Sequence, residues 1–159
     1  LLSFLIKSHL FTKMTIPLLF LWISQKMFWT WLSNPLVASI IKRVVDKEDP
    51  LVVWGDGTAV RDFIYSKDVA RGMIYAMEND IKEPLNLGSG QEISIDSLAK
   101  LIMKIVNVSL KINWDIKKPN GQPRRCIDSE KAKHEIGFNP TTSLEVGINE
   151  TINWYLNKN

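Results

Sequence analysis

The sequence predicts a mixed α/β fold built from short strands. Apolar runs with strand character at 51–54, 60–65 and 110–114 carry that reading, together with intervening segments whose apolar residues recur at helical spacing. Gly, Pro, Asn and Asp punctuate the junctions. The chain has 159 residues, 45% of them hydrophobic and 23% charged, which is enough to bury one core and unlike a disordered polymer.

Each element follows from local signals. Asn34 caps a helix with Pro35 in its first turn, and Val37, Ile40, Ile41, Val44 and Val45 form its apolar stripe up to the charged stop at 46–50. The run 51–54 ends at Gly55-Asp56-Gly57 and 60–65 resumes extended character, which reads as two strands joined by a tight turn. Ser66 or Asp68 then opens a helix with Val69, Met73, Ile74 and Met77 on its apolar face, stopping near Asn79. A brief strand at 84–87 runs into Gly88-Ser89-Gly90. Ser94 caps the next helix, which buries Leu98, Leu101, Ile102 and Ile105. Residues 110–114 alternate as a strand should, and 115–126 read as a polar loop around Pro119, Gly121 and Pro123. Asp128 caps a short helix that ends at Gly137, and Thr142 with Glu145 makes a capping box for the last helix, which buries Leu144, Ile148, Ile152 and Tyr155.

Charge is unevenly distributed. The net charge is +3, but no Asp or Glu precedes Asp46, whereas Lys7, Lys13, Lys26, Lys42 and Arg43 do. The remainder therefore holds 15 basic and 17 acidic residues, and the folded body carries no electrostatic footprint for DNA or RNA. Residues 1–33 differ from the rest, with Trp22, Trp29 and Trp31 close together and no clean period. The apolar stretch 16–32 could be a membrane anchor, but it is at the short limit for a span. Gln25 and Lys26 also lie in its middle, where a Lys costs about 2.5–3.5 kcal/mol. Those objections make a membrane partner the weaker expectation and a misread frame of a longer gene the stronger one. The domain reading is thus an atypical segment at 1–33 and one domain at 34–159. The single cysteine, Cys126, excludes an internal disulfide, and a reducing cytoplasm is the expected compartment.

Several chemistries lack their motifs. No Gly-x-Gly-x-x-Gly turn opens a helix, so there is no pyrophosphate cradle. His9 and His134 are isolated from each other and from Cys126, so no metal-ligand set is expected. No Ser stands in a Gly-x-Ser-x-Gly elbow.

Five tracts occur in a telling order. They are Val53-Trp54-Gly55-Asp56-Gly57-Thr58, then Arg61-Asp62-Phe63-Ile64-Tyr65-Ser66-Lys67-Asp68-Val69-Ala70, and Asn86-Leu87-Gly88-Ser89-Gly90. Next come Lys118-Pro119-Asn120-Gly121-Gln122-Pro123-Arg124-Arg125 and Gly137-Phe138-Asn139-Pro140 before the last helix. Together they resemble the C-terminal region of the extended short-chain dehydrogenase/reductases, the NAD-dependent epimerase/dehydratase family acting on nucleotide sugars. The Lys-Pro-Asn-Gly stretch is most like its GDP-L-fucose synthase branch.

That resemblance implies a small mixed α/β substrate-binding domain without the Rossmann core. It also implies a nucleotide-sugar partner, an NAD(P) cofactor in the parent family that this chain alone is not expected to bind, and a homodimeric parent. By resemblance Arg61 contacts the diphosphate and Trp54 lines the substrate site. The plainer alternatives are a salt bridge from Arg61 to Asp62 or Asp68 and a core position for Trp54. Lys118 and Arg124 are binding candidates or solvated loop charges, Asn86 is a turn residue that helps shape the site, and Asp128 is a helix cap or a ligand.

The family's Tyr-x-x-x-Lys pair has no counterpart. Tyr65, Tyr75 and Tyr155 are followed four residues on by Val69, Asn79 and Asn159. No catalytic residue is therefore carried over. The parent reaction implied is epimerisation and reduction of a GDP-4-keto-6-deoxy sugar. A 4-epimerase or dehydratase of another nucleotide sugar stays open, as does a noncatalytic nucleotide-sugar binding module.

Overall fold

The computed structural model describes residues 36–158. The segment 1–33 and the Asn34-Pro35 cap lie outside the described residues. In chain order the elements are α1 Leu36–Val45, β1 Leu51–Trp54, β2 Val60–Asp62, α2 Ser66–Glu78 and β3 Glu92–Ser94. They continue with α3 Ile95–Val106, β4 Ile112–Asp115, β5 Arg124–Arg125, α4 Glu130–Ile136 and α5 Leu144–Lys158. Residues 40–159 group as one unit.

Two small sheets organise this unit. β1 runs parallel to β4, with Leu51 opposite Ile112 and Trp54 opposite Asp115. β2 lies between β3, which is antiparallel to it, and β5, which is parallel. The strands on either side of Gly55-Asp56-Gly57 therefore do not pair with each other, contrary to the tight-turn expectation. The turn hands the chain from one sheet to the other because its carbonyls are taken elsewhere: Gly57 O accepts from Asp96 N (3.0 Å) and Ala59 O from Ile95 N (3.0 Å), at the start of α3.

Ser94 caps α3 as its sequence predicts, its hydroxyl accepting from the Ser97 N–H at 3.1 Å, and Asn107 closes the helix in the left-handed conformation. α3 packs on α5. Buried apolar residues come from α1 (Ile40, Ile41, Val44), β1 (Leu51, Val53), α3 (Leu98, Ala99, Ile102) and α5 (Ile148, Ile152). A second cluster forms around Ala132, Ile136 and Phe138.

Three further expectations are corrected. The segment 84–87 is not a strand: Leu85 and Leu87 pack against the Phe138 cluster, and the following N–H groups of Ser89 and Gly90 donate to the Asp62 carboxylate instead of to a neighbouring strand. α2 buries Asp68 and Gly72 and leaves Met73, Ile74 and Met77 exposed, the reverse of its apolar stripe. The cause is Asp68, whose carboxylate accepts from the N–H groups of Thr141 (3.2 Å) and Thr142 (3.0 Å) and pairs with Arg71 (2.7 Å). Gly72 has no side chain to fend off Leu87 and Phe138, so the same side of α2 comes close to both. Finally, Ser143 and not Thr142 caps α5, accepting from Val146 N at 3.3 Å, because the Thr142 N–H is already committed to Asp68. Among the described residues no helix is long and apolar enough to cross a membrane.

Candidate functional site

The loop 117–121 lies over the end of β1 and the face of β2. Its near end is held by Asp115, whose carbonyl accepts from Lys118 N (3.1 Å) and whose carboxylate accepts from Lys117 N (3.2 Å). Its far end is held by Pro123, whose carbonyl accepts from Val60 N at 2.8 Å. Between them, Lys118 Nζ stands 5.2 Å from the centre of the Trp54 ring, and Asn120 Oδ1 accepts from Asp56 N at 2.8 Å. Gly121 lies so close to Arg61 that a Cβ on it would stand 3.3 Å from Arg61 Nη2. The loop thus touches Trp54 through Lys118 and Arg61 through Gly121, and with Gly55 and Asp56 it lines an open cleft.

Trp54 is 54% exposed, so it is a surface ring and not a core residue. Arg61 donates to its neighbour's carbonyl, Val60 O, at 2.7 Å, which leaves most of its fork of N–H groups for other acceptors. Neither acid suggested as its partner is used that way. Asp62 accepts from Ser89 and Gly90, and Asp68 from Thr141, Thr142 and Arg71.

Strand register separates the remaining candidates. Val60 is opposite Arg124 and Arg61 is opposite Arg125 across the β2–β5 pair. Because side chains alternate between faces, Arg125 shares the face of Arg61 while Arg124 lies on the other. There Arg124 makes a two-pronged pair with Glu92, through Nε at 2.9 Å and through Nη2. Arg124, hydrogen-bonded first and Cys126 next, holds the Glu92 carboxyl at about 2. Arg124 is thus in a strand and paired, whereas Arg125 had not been singled out at all. Nothing in a run of two arginines distinguishes them until the register of β5 is known. Asn86 is exposed between the inward Leu85 and Leu87, with no described contact to the others. Asp128 does not cap α4 as expected: the capping position is Ser129, whose side chain makes no cap bond, and Asp128 one residue earlier accepts from Glu130 N at 3.0 Å.

Tyr65 Oη donates to Glu150 at 2.7 Å and Lys67 Nζ reaches the same oxygen at 2.8 Å. Burial, and then Glu150, push the Tyr65 phenol above its ordinary value, the opposite of an activated base. Among the described residues no group of three or more His, Cys, Asp and Glu side chains could hold a metal.

The α/β fold is that of an extended short-chain dehydrogenase/reductase, here present as a partial chain. Residues 24–151 match the family model described as GDP-mannose 4,6 dehydratase, and the chain belongs to that family. It is similar to GDP-L-fucose synthase 1 of Arabidopsis thaliana, 37% identical over 113 residues covering 70% of this chain and 35% of that protein. It is also similar to GDP-L-fucose synthase of Escherichia coli K12, 33% identical over 116 residues, 67% of this chain and 36% of that one. The chain thus spans little more than a third of the length of these relatives. A solved UDP-glucose 4-epimerase from Thermotoga maritima, with UDP-glucose, superposes with a TM-score of 0.73 at 29% identity over 79% of this chain and 40% of its own. A UDP-glucuronic acid 4-epimerase from Bacillus cereus, in complex with UDP-glucuronic acid and NAD, gives 0.72 at 29% identity over 79% and 41%.

Proposed function

We propose that this chain is the nucleotide-sugar binding part of an NAD(P)-dependent sugar epimerase/reductase of the GDP-L-fucose synthase kind, with residues 34–159 as a substrate-binding domain that lacks the dinucleotide core. The observation that carries the reading is the register of Arg61 with Arg125. Like charges directly opposite on neighbouring strands repel, at a cost of a few tenths of a kcal/mol to about 1 kcal/mol. A diphosphate between them turns that repulsion into two charge-assisted pairings. Trp54 offers a flat wall for a base or sugar, and Lys118, over its ring, is a third cation. The names of the relatives agree with a GDP-sugar as the ligand.

Hydride transfer belongs to the longer relatives and is assigned to no residue of this chain. The test is calorimetric titration of the 159-residue chain with GDP, UDP and NADPH. Binding of a nucleoside diphosphate, with GDP preferred, is expected. Failure of both diphosphates to bind at millimolar concentration would refute the reading.

A further inference from the structure

Resting on that reading, we propose that Asn120 is a positioning residue: it latches the loop 117–121 onto the Gly55-Asp56-Gly57 turn and so fixes where Lys118 and Gly121 stand relative to Trp54 and Arg61. The loop residues 117–121 are all exposed, so burial does not hold them. Between its two backbone-tied ends, the side-chain hydrogen bond that ties the loop down is that of the Asn120 carboxamide to the turn, beside the contact of Lys118 with the Trp54 ring.

The fit is two-sided. Asn120 Oδ1 accepts the Asp56 N–H at 2.8 Å, and it occupies the space left by the missing side chain of Gly55, where a Cβ would lie 2.0 Å from it. Gly55 is also at φ +85°, a conformation glycine adopts without strain. The Asp56 carboxylate accepts from Thr58 N (2.9 Å) and Thr58 Oγ1 (2.7 Å), and it is held below the ordinary carboxylate range by Thr58 first and then by the Asn120 side chain. An amide at this position accepts from the Asp56 N–H and has an NH2 group left to present to the neighbouring carboxylate. An aspartate there keeps the first contact and places a second anion against Asp56. With the latch open, Lys118 leaves the Trp54 ring and Gly121 leaves Arg61, so the cations lose the spacing a diphosphate needs.

The test compares Asn120→Asp with the exchanged pair Asp56→Asn/Asn120→Asp, in which donor and acceptor trade sides. Two quantities are read: GDP affinity by calorimetry, and the upfield ring-current shift of the Lys118 Hε protons in the ligand-free chain by NMR. Asn120→Asp is expected to weaken GDP binding by at least about fivefold, the worth of one hydrogen bond, and to erase most of the shift. The exchanged pair is expected to bring both back to near wild-type values. A plain loss of folding would move far-ultraviolet circular dichroism and would not be rescued by the exchange, so an unrescued loss overturns the latch, as do an unchanged shift and affinity in Asn120→Asp. If the wild-type chain binds no GDP, the functional reading falls, and the Lys118 shift alone then decides the latch.

Discussion

Arg61→Ala is the sharpest perturbation of the proposed diphosphate clamp, because its two effects have opposite signs. In the ligand-free chain Arg61 faces Arg125 in register, and among the described residues no carboxylate pairs with it. Removing it gives up one bond to Val60 O and relieves a like-charge contact, so stability should change by no more than about 0.5 kcal/mol in either direction. With GDP bound, the same change deletes one or two charge-assisted bonds worth about 1.5–3 kcal/mol each, so affinity should fall by at least about tenfold. Arg61→Lys keeps the charge and loses the fork, and should recover only part of that loss. Calorimetric titration with GDP and urea unfolding without it measure the two effects separately. If Arg61→Ala binds GDP within about twofold of wild type, the clamp is wrong. If it binds poorly but also unfolds early, Arg61 is a structural residue and the reasoning fails differently.

Two further outcomes follow from buried and paired acids. Asp68 is 1% exposed; its burial alone would push the carboxyl up, but the N–H groups of Thr142 and Thr141 and the charge of Arg71 outweigh it and hold the carboxyl low. Asp68→Ala should therefore cost about 3–5 kcal/mol, and Asp68→Asn less, in urea unfolding. A folded-state value below the unfolded one, about 3.9, stabilises fully above that pH and is lost as pH falls through the lowered value. The advantage of wild type over Asp68→Asn should consequently shrink on acidification below about pH 4, and a constant gap would count against the assignment. For Glu92, held at about 2, an NMR titration of its carboxyl carbon should show a midpoint near that value, moving up toward the ordinary range in Arg124→Gln. A wild-type midpoint near 4.3 would show that the Arg124 pair does not persist in solution.

Much of the fold could be read from the sequence because its signals are local. Ser94 capping α3, Gly137 ending α4 and the buried Ile148 and Ile152 of α5 depend on residues within a turn or two of each other. The misreadings come from contacts at long range. The apolar stripe of α2 looked like its buried face, yet Asp68 draws the opposite side inward through Thr141 and Thr142, more than seventy residues away. No periodicity records that a carboxylate will find three donors in a distant loop, and so outweigh the burial of three flexible apolar side chains. The capping residue of α5 shifted by one for the same reason.

The candidate site divides along the same line. Trp54, Arg61 and Lys118 could be proposed from the sequence because they stand in chemically distinctive tracts, but the exposure of Trp54 and the absence of an acid partner for Arg61 among the described residues come only from the structure. The choice between Arg124 and Arg125 was not, since adjacent arginines differ only in which face of a strand they occupy. That face is set by the pairing of β2 with β5, Val60 with Arg124 and Arg61 with Arg125, to which the bond from Val60 N to Pro123 O at 2.8 Å adds at the strand's edge. Shifting that register by one residue would put Arg124 beside Arg61 and send Arg125 toward Glu92. The proposed diphosphate clamp therefore depends on strand register as much as on charge, because register decides which of two identical side chains stands beside Arg61.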